Sequence, residues 1–178
     1  MMEFHYDVIE KHHKDKRELI YSDTDSLVYL IKSPNRHKWM NENEDEFDLS
    51  NLTTKWKSDK NENVLGKFKN ETGSKIISEF LSLSPKLYAY KYADTEVKRA
   101  KGVSLSVSDK AMDFDDYQRT LETGNIQTRK IYGIQSFNQQ LFSTCTDKIV
   151  LTSFYDKFKL LDEINCEPFG YEPIDCPS

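Results

Sequence analysis

The apolar and polar positions along the chain first predict a short helix and then a β-hairpin. Residues 2–13 place apolar side chains at helical spacing, which indicates a helix. Two apolar runs follow, Leu19–Tyr21 and Leu27–Ile31, and both are rich in β-branched and aromatic residues. Each predicts a strand that is buried on at least one face. Because Ser22–Asp25 between them are turn-forming types, we expect a hairpin with two carboxylates at its tip.

Downstream, polar segments alternate with short apolar ones. The acidic segment from Asn35 to Phe47 is weakly helical, and residues 57–63 are polar throughout, which predicts an exposed loop. Val64–Lys69 and Lys86–Tyr92 are candidate strands, whereas Ile76–Leu83 fits either a strand or a helix. The pattern therefore becomes richer in β structure after the acidic segment.

The clearest helix signal begins at Asp113, which is a typical N-cap residue followed by acidic residues in the first turn. This helix is expected to end at about Glu122, with Gly124 as its C-terminal cap. Beyond it the pattern predicts three short strands, at Lys130–Phe137, Leu141–Cys145 and Ile149–Ser153. An irregular tail is expected over Cys166–Ser178. Together these elements predict an α+β fold.

Length and composition narrow the classes of protein that fit. A chain of 178 residues can bury one core or two small ones. No apolar run approaches the roughly 20 residues of a membrane span, and the N-terminus lacks the apolar core of a signal peptide, so no membrane partner is expected. Three cysteines without a Cys-x-x-Cys pair favour a reduced, intracellular compartment; a nuclear, a viral and an organellar setting fit equally.

The distribution of charge matters more than its sum. A net charge of −5 opposes binding to nucleic acid, but basic residues concentrate in the segment 86–101. In the strand predicted there, alternate positions carry a cation and three phenols: Lys86, Tyr88, Tyr90 and Tyr92. Such a row suits contact with phosphates and bases. It fits an aromatic cross-strand ladder equally well.

The hairpin tip admits several chemical interpretations. Asp23 and Asp25 could be ordinary turn residues, or they could bind Mg²⁺, which takes one or two protein carboxylates together with substrate phosphates. An EF-hand loop is excluded, since its sixth and twelfth positions would be Val28 and Pro34. A haloacid-dehalogenase-like phosphatase, with Asp23 as nucleophile, is a weaker alternative because Leu27 stands where that motif has Thr or Val.

The six residues Tyr21–Ser26 resemble the Tyr-x-Asp-Thr-Asp-Ser signature of family B DNA polymerases. Over residues 2–165 the chain is similar to the C-terminal part of the protein-primed members carried by linear plasmids, some viruses and Maverick/Polinton transposons. The other segments that carry the resemblance are Phe4–Asp7, Phe47–Asn51, Gly66–Glu71, the Lys-x-Tyr at Lys86–Tyr88, Lys98–Gly102 and Asp113–Leu121. The resemblance implies template-directed nucleotidyl transfer during DNA replication.

The resemblance also implies roles for individual residues. Asp25 would hold the catalytic Mg²⁺ or Mn²⁺, Asp23 would support it, and the signature would be completed by Tyr21, Thr24 and Ser26.

The implied DNA contacts lie further along the chain. Lys86 and Tyr88 would hold the primer terminus, while a basic run would contact the duplex backbone through Lys98, Arg99 and Lys101.

The expected organisation begins with the C-terminal part of a palm over residues 1–84, which contains the catalytic hairpin and an acidic insertion. A β-rich, thumb-like region that contains a helix and contacts DNA follows over 85–165, and an irregular tail follows over 166–178. The 178 residues contain neither the Asp-x-x-Ser-Leu-Tyr-Pro motif, which carries the family's other metal carboxylate, nor the nucleotide-binding Lys-x-x-x-Asn-Ser-x-Tyr-Gly motif. We therefore expect a C-terminal fragment that does not polymerise DNA alone.

Its partners would be primer–template DNA and a terminal protein primer, with nucleotides binding only if upstream palm and fingers are supplied. The alternative is a non-catalytic, DNA-binding remnant of a mobile element.

Overall fold

The predicted mixture of helices and strands is confirmed by the computed structural model, which describes residues 1–53, 55–104, 110–162 and 165–171. Three helices longer than one turn lie in these ranges, and single 3₁₀ turns occur at Lys14–Lys16 and Glu44–Glu46. The first is α1, which is π-helical over Phe4–Glu10 and α-helical over Lys11–His13; the others are α2 (Arg36–Glu42) and α3 (Phe114–Thr123). None of the helices in the described part of the chain is both long enough and apolar enough to cross a membrane.

The strands form several small sheets. In chain order, the first six strands are β1 (Arg17–Asp23), β2 (Ser26–Ile31), β3 (Phe47–Asp48), β4 (Phe68–Lys69), β5 (Ile77–Ser84) and β6 (Leu87–Tyr92). The remaining five are β7 (Thr95–Ala100), β8 (Gln127–Phe137), β9 (Gln140–Leu151), β10 (Phe158–Leu160) and β11 (Cys166–Pro168). The pairs β1–β2, β8–β9 and β10–β11 are antiparallel, β3–β4 is parallel, and β5–β6–β7 forms a three-stranded sheet.

These elements divide into two compact units. Unit 1 comprises residues 1–80 and 90–96, and unit 2 comprises residues 81–89 and 97–178. The boundary expected after residue 84 falls at the end of β5, a strand that contributes residues to both units.

The core of unit 1 lies where α1 meets α2 and the parallel pair β3–β4. Its buried apolar residues are Phe4, Ile9, Met40, Phe47, Leu49 and Leu52. The Phe4 ring stacks on Phe68 with a centroid distance of 4.0 Å and meets Phe47 edge-on at 5.5 Å. The helix predicted over residues 2–13 is therefore confirmed, and its apolar face supplies the first core residue.

The parallel pair β3–β4 carries a buried carboxylate, Asp48. Its Oδ1 accepts from the Ser50 backbone N–H at 2.9 Å, and its Oδ2 accepts from the Asn63 backbone N–H at 3.2 Å and from Lys69 Nζ at 3.0 Å. Burial by itself would raise the pKa of Asp48, but these hydrogen bonds outweigh it and hold that pKa far below its ordinary value. Asp48 thus ties the segment after β3 to β4. The strand expected over Val64–Lys69 is reduced to Phe68–Lys69.

Two histidines of unit 1 should make its stability depend on pH. Burial, followed by the charges of His12 and Lys16, lowers the pKa of His13, while burial and then Arg36 lower the pKa of His37. The unfolded chain therefore binds protons more readily than the folded unit once the pH falls below about 6.5. We expect the stability of unit 1 to be fully present above that pH and to fall as the pH is lowered through it.

Tryptophan fluorescence can measure this effect, because both tryptophans of the chain, Trp39 and Trp56, belong to unit 1. Urea denaturation followed at pH 7 and pH 5 should give a lower midpoint at pH 5. The double variant His13→Gln/His37→Gln should show a smaller difference between the two pH values. A midpoint in the unmodified chain that is equal at both would contradict the expectation.

The core of unit 2 is built around α3. At its N-terminus, the Asp113 side chain accepts from the Asp116 N–H at 2.8 Å and the Asp116 side chain accepts from the Asp113 N–H, which together form a capping box. At its C-terminus, Gly124 ends the helix with a φ of +69°. The helix predicted here is confirmed at both ends. Its buried face joins a cluster that consists of Leu87, Ala89, Ala100, Met112, Phe114, Tyr117, Val150 and Leu151.

The chain beyond α3 forms two long strands, where three short ones were expected. Leu141–Cys145 and Ile149–Leu151 belong to the single strand β9, because the polar residues between them also pair with β8. Both residues of the connecting turn, Asn138 and Gln139, have positive φ, as the two-residue turn of a twisted hairpin requires. In the tail, Cys166–Pro168 forms β11, and residues 172–178 lie outside the described ranges.

Candidate catalytic hairpin and basic pocket

The β1–β2 hairpin in unit 1 places the two carboxylates of the signature at its tip. Asp23 pairs with Ser26, so the turn consists of Thr24 and Asp25 alone. A bulge at Ile20 shifts the register. Bulges are common next to active sites, where they set the direction of the following side chains.

Hydrogen bonds within the signature hold the tip in one conformation. Thr24 has a φ of +53°, which is unfavourable for a β-branched residue. Its hydroxyl donates to Asp23 Oδ1 at 2.9 Å, and the Ser26 hydroxyl donates to the Asp23 carbonyl oxygen at 3.1 Å. Thr24 and Ser26 therefore support the turn through Asp23.

The two carboxylates differ in environment. Asp23 is half-buried and engaged by Thr24, whereas Asp25 is exposed in the turn itself. Carboxylate oxygens are suitable ligands for a hard divalent cation. Over the described residues, however, no group of three acidic, histidine or cysteine side chains could hold a metal ion. The tip thus carries two carboxylates without a third such side chain grouped with them in the described ranges.

The base of the hairpin is attached to α1. Leu27, Tyr29 and Ile31 of β2 pack against the unit 1 core. The Tyr29 hydroxyl and His5 Nδ1 are hydrogen-bonded at 2.7 Å; burial raises the pKa of Tyr29, with a smaller opposing effect from Arg17.

The expectation that each strand buries a face is correct only for β2. Leu19 and Ile20 of β1 are 38% and 42% exposed, and among the described strands β1 pairs with β2 alone. Tyr21 is the exception in β1, as its ring lies 5.5 Å from that of Phe80 in β5.

The cation and three phenols that were predicted to share one face of a strand lie in different environments. Tyr90 is buried, and its ring stacks with Phe80 at 6.3 Å and with Tyr92 at 6.0 Å, which is the aromatic ladder of the alternative interpretation. Tyr88 is half-buried in β6. Lys86 does not lie on the strand, since it occupies the β5–β6 turn with a φ of +64°.

The basic residues predicted to contact DNA have different exposures within unit 2. Lys98 is only 9% exposed, which runs against the expected contact with a duplex backbone. Arg99 and Lys101 are exposed. The carbonyl oxygen of Arg99 accepts from the buried Tyr117 hydroxyl at 3.0 Å, so this segment is fixed to α3.

Lys86 and Lys101 lie together. The Lys101 backbone N–H donates to the Lys86 carbonyl oxygen at 3.1 Å, and both residues line a cavity of about 210 Å³ in unit 2. Lys157 and Tyr155 line the same cavity. Sequence reasoning missed these two, because they follow β9 at a distance from any motif and in a segment without periodicity.

Two of the segments that carry the resemblance, Phe47–Asn51 and Gly66–Glu71, contact one another through β3–β4 and Asp48. Asn51 adds a hydrogen bond from its Nδ2 to the Asn70 carbonyl oxygen at 2.6 Å. The resemblance had placed both segments after the hairpin without relating them to each other.

Comparison with protein family models, with curated proteins and with solved structures gives no match for this chain.

Proposed function

We propose that this chain is the C-terminal palm and thumb portion of a protein-primed family B DNA polymerase. The observation that carries the proposal is the agreement between motif and shape at the hairpin tip. The six signature residues Tyr21–Ser26 span the end of an antiparallel hairpin, with Asp25 exposed in a two-residue turn. Five of the six positions of this signature are fixed, so a coincidence with a random Asp-rich turn is a poorer explanation.

Under this proposal, the hairpin carboxylates and the DNA-contacting side chains have different roles in nucleotidyl transfer. Asp25 would hold a divalent cation with one carboxylate, and Asp23 would support it from the end of β1. When bound, two such cations stabilise the attacking and leaving oxygens of nucleotidyl transfer. The remaining contribution of this chain would be positioning of the primer strand by cationic and aromatic side chains, which is much of what phosphoryl-transfer catalysis requires.

Two motifs of the family's active site are absent from the 178 residues. The 178 residues hold only half of the metal carboxylates that the family uses, and they lack its nucleotide-binding motif. We therefore expect no primer extension by the purified chain with Mg²⁺ or Mn²⁺. Upstream palm and fingers would have to supply the second carboxylate and the nucleotide pocket.

DNA binding is the direct test, because it needs only the chain as it is. We expect salt-sensitive binding to primer–template DNA that weakens about tenfold or more in Lys86→Ala/Tyr88→Ala, since a phosphate contact and an aromatic contact are lost together. Fluorescence anisotropy over a salt series measures both affinity and salt dependence.

Lys130→Ala/Tyr132→Ala is a matched control for this experiment. It removes the same two side-chain types at the same spacing from β8, where both are exposed and the resemblance assigns no contact. Equal affinities for the two double variants would count against the proposed primer contact.

A second candidate is a non-catalytic DNA-binding module, and it is favoured by the lack of a third metal-binding side chain near the hairpin within the described ranges. It predicts the same DNA binding but no activity when the upstream segments are added.

The phosphatase alternative gains no support, because β2 returns antiparallel to β1 directly after the motif, whereas that fold continues into parallel βα units.

A further inference from the structure

The cavity in unit 2 gathers three lysines around an apolar floor. Lys86, Lys101 and Lys157 are exposed at its rim, and Leu87 and Val150 form its floor. None of the described residues that line it is acidic. A pocket with this lining attracts an anion.

Hydrogen bonds order the backbone beside each of the three lysines. The Lys101 N–H donates to the Lys86 carbonyl oxygen at 3.1 Å, and Lys148 Nζ donates to the carbonyl oxygen of Gly102, next to Lys101. On the other side, the Lys157 carbonyl oxygen accepts from the Phe169 N–H at 2.9 Å, beside the β10–β11 pair. These hydrogen bonds join the backbone at Lys86 to that at Lys101 and the backbone at Lys157 to that at Phe169, while the three lysine side chains stay exposed.

We propose that this pocket holds a phosphodiester of a single nucleic-acid strand and that Lys157 is one of its binding residues. The assignment deepens the proposed function and rests on it, since it places one more cation beside the two that the resemblance assigns to DNA. A cavity of about 210 Å³ is smaller than the roughly 300–1,000 Å³ that enclose whole ligands, so it accommodates a phosphate group with the rest of the strand outside.

Lys157 is available for this role. Its side chain is 73% exposed and lies 3.6 Å from Asp156 Oδ1, a surface ion pair of a kind that contributes little stability. A phosphate would therefore compete readily with Asp156 for the ammonium group. Truncating a side chain this exposed should leave the fold intact.

The test compares two neighbouring lysines in the full chain. With a labelled single-stranded oligonucleotide and a salt series, Lys157→Ala should weaken binding about fivefold and reduce the slope of log affinity against log salt by about 0.7, the value for one lost phosphate contact. Lys157→Arg should restore most of the affinity. Lys159→Ala is the matched control, because Lys159 is exposed in β10 and does not line the pocket; it should bind as the unmodified chain does.

A second arm titrates inorganic phosphate into the unmodified chain and into Lys157→Ala, and follows the amide NMR shifts of residues 86, 101 and 157. If phosphate shifts these amides while Lys157→Ala and Lys159→Ala bind the oligonucleotide equally, the pocket takes a free anion and the strand assignment is wrong. If neither ligand depends on Lys157, the pocket proposal fails, while the polymerase proposal is judged separately by the Lys86/Tyr88 variant. If the unmodified chain does not bind the oligonucleotide or primer–template DNA, both proposals fail together.

Discussion

Replacing Tyr117 by alanine is expected to lower the free energy of unfolding of unit 2 by about 3–5 kcal/mol, the range for removing a large aromatic side chain from a core. Tyr117 is fully buried in the centre of α3 and packs among the other core residues of the unit. Its hydroxyl also donates to the Arg99 carbonyl oxygen, so the substitution leaves that acceptor without its donor. Urea denaturation and hydrogen exchange of the α3 amides would measure the loss.

Two further variants show which part of the side chain matters. Tyr117→Phe keeps the ring and removes only the hydroxyl, so it should cost about 1–2 kcal/mol. Tyr132→Ala removes the same side chain from an exposed position in β8 and should change stability by less than about 0.5 kcal/mol. A loss below about 1 kcal/mol for Tyr117→Ala would mean that α3 does not depend on this contact.

The sequence predicted α3 and the hairpin well because their signals are local. Asp113 and Gly124 each carry a capping preference that depends on the adjacent backbone alone, and both act as expected. Likewise, the turn residues between two apolar runs determine where β1 ends and β2 begins.

Features that depend on distant partners could not be predicted in the same way. Lys98 is buried on the same face of β7 as Ala100, a residue of the unit 2 core, and its place in a basic run gives no sign of this burial. Tyr90 differs from the other tyrosines of β6 because its ring stacks on Phe80, which belongs to the neighbouring strand β5. Lys157 reaches the pocket only because the chain returns to it after β9.

The merging of two predicted strands into β9 has another cause. Alternation of apolar and polar residues identifies a strand when one face is buried, but β8 and β9 are exposed on both faces over most of their length. The polar residues Thr146, Asp147 and Lys148 therefore appeared as a break between strands, although each pairs with a residue of β8.

If the proposed function is correct, Asp25→Asn is expected to lower sharply the activity of a polymerase that contains this chain. We would fuse the chain to upstream palm and fingers segments of a protein-primed family B polymerase and measure primer extension with Mg²⁺. Because loss of a catalytic metal ligand removes several kcal/mol of transition-state stabilisation, Asp25→Asn should reduce the rate about a thousandfold. Asp23→Asn should reduce it less, about tenfold, since the amide oxygen can still accept from Thr24.

The matched control is Glu18→Gln, which removes one exposed negative charge from β1, the strand that leads to the tip, without changing the tip itself. It should leave extension unchanged, so that a loss in Asp25→Asn cannot be attributed to charge alone. An independent readout uses the full chain without a fusion: Mn²⁺ should broaden the amide NMR signals of residues 23–26, and Asp25→Asn should remove that broadening. If the fusion extends primers and Asp25→Asn extends them as fast, or if Mn²⁺ broadens the tip signals equally in both chains, Asp25 is not a metal ligand and the hairpin is a structural turn.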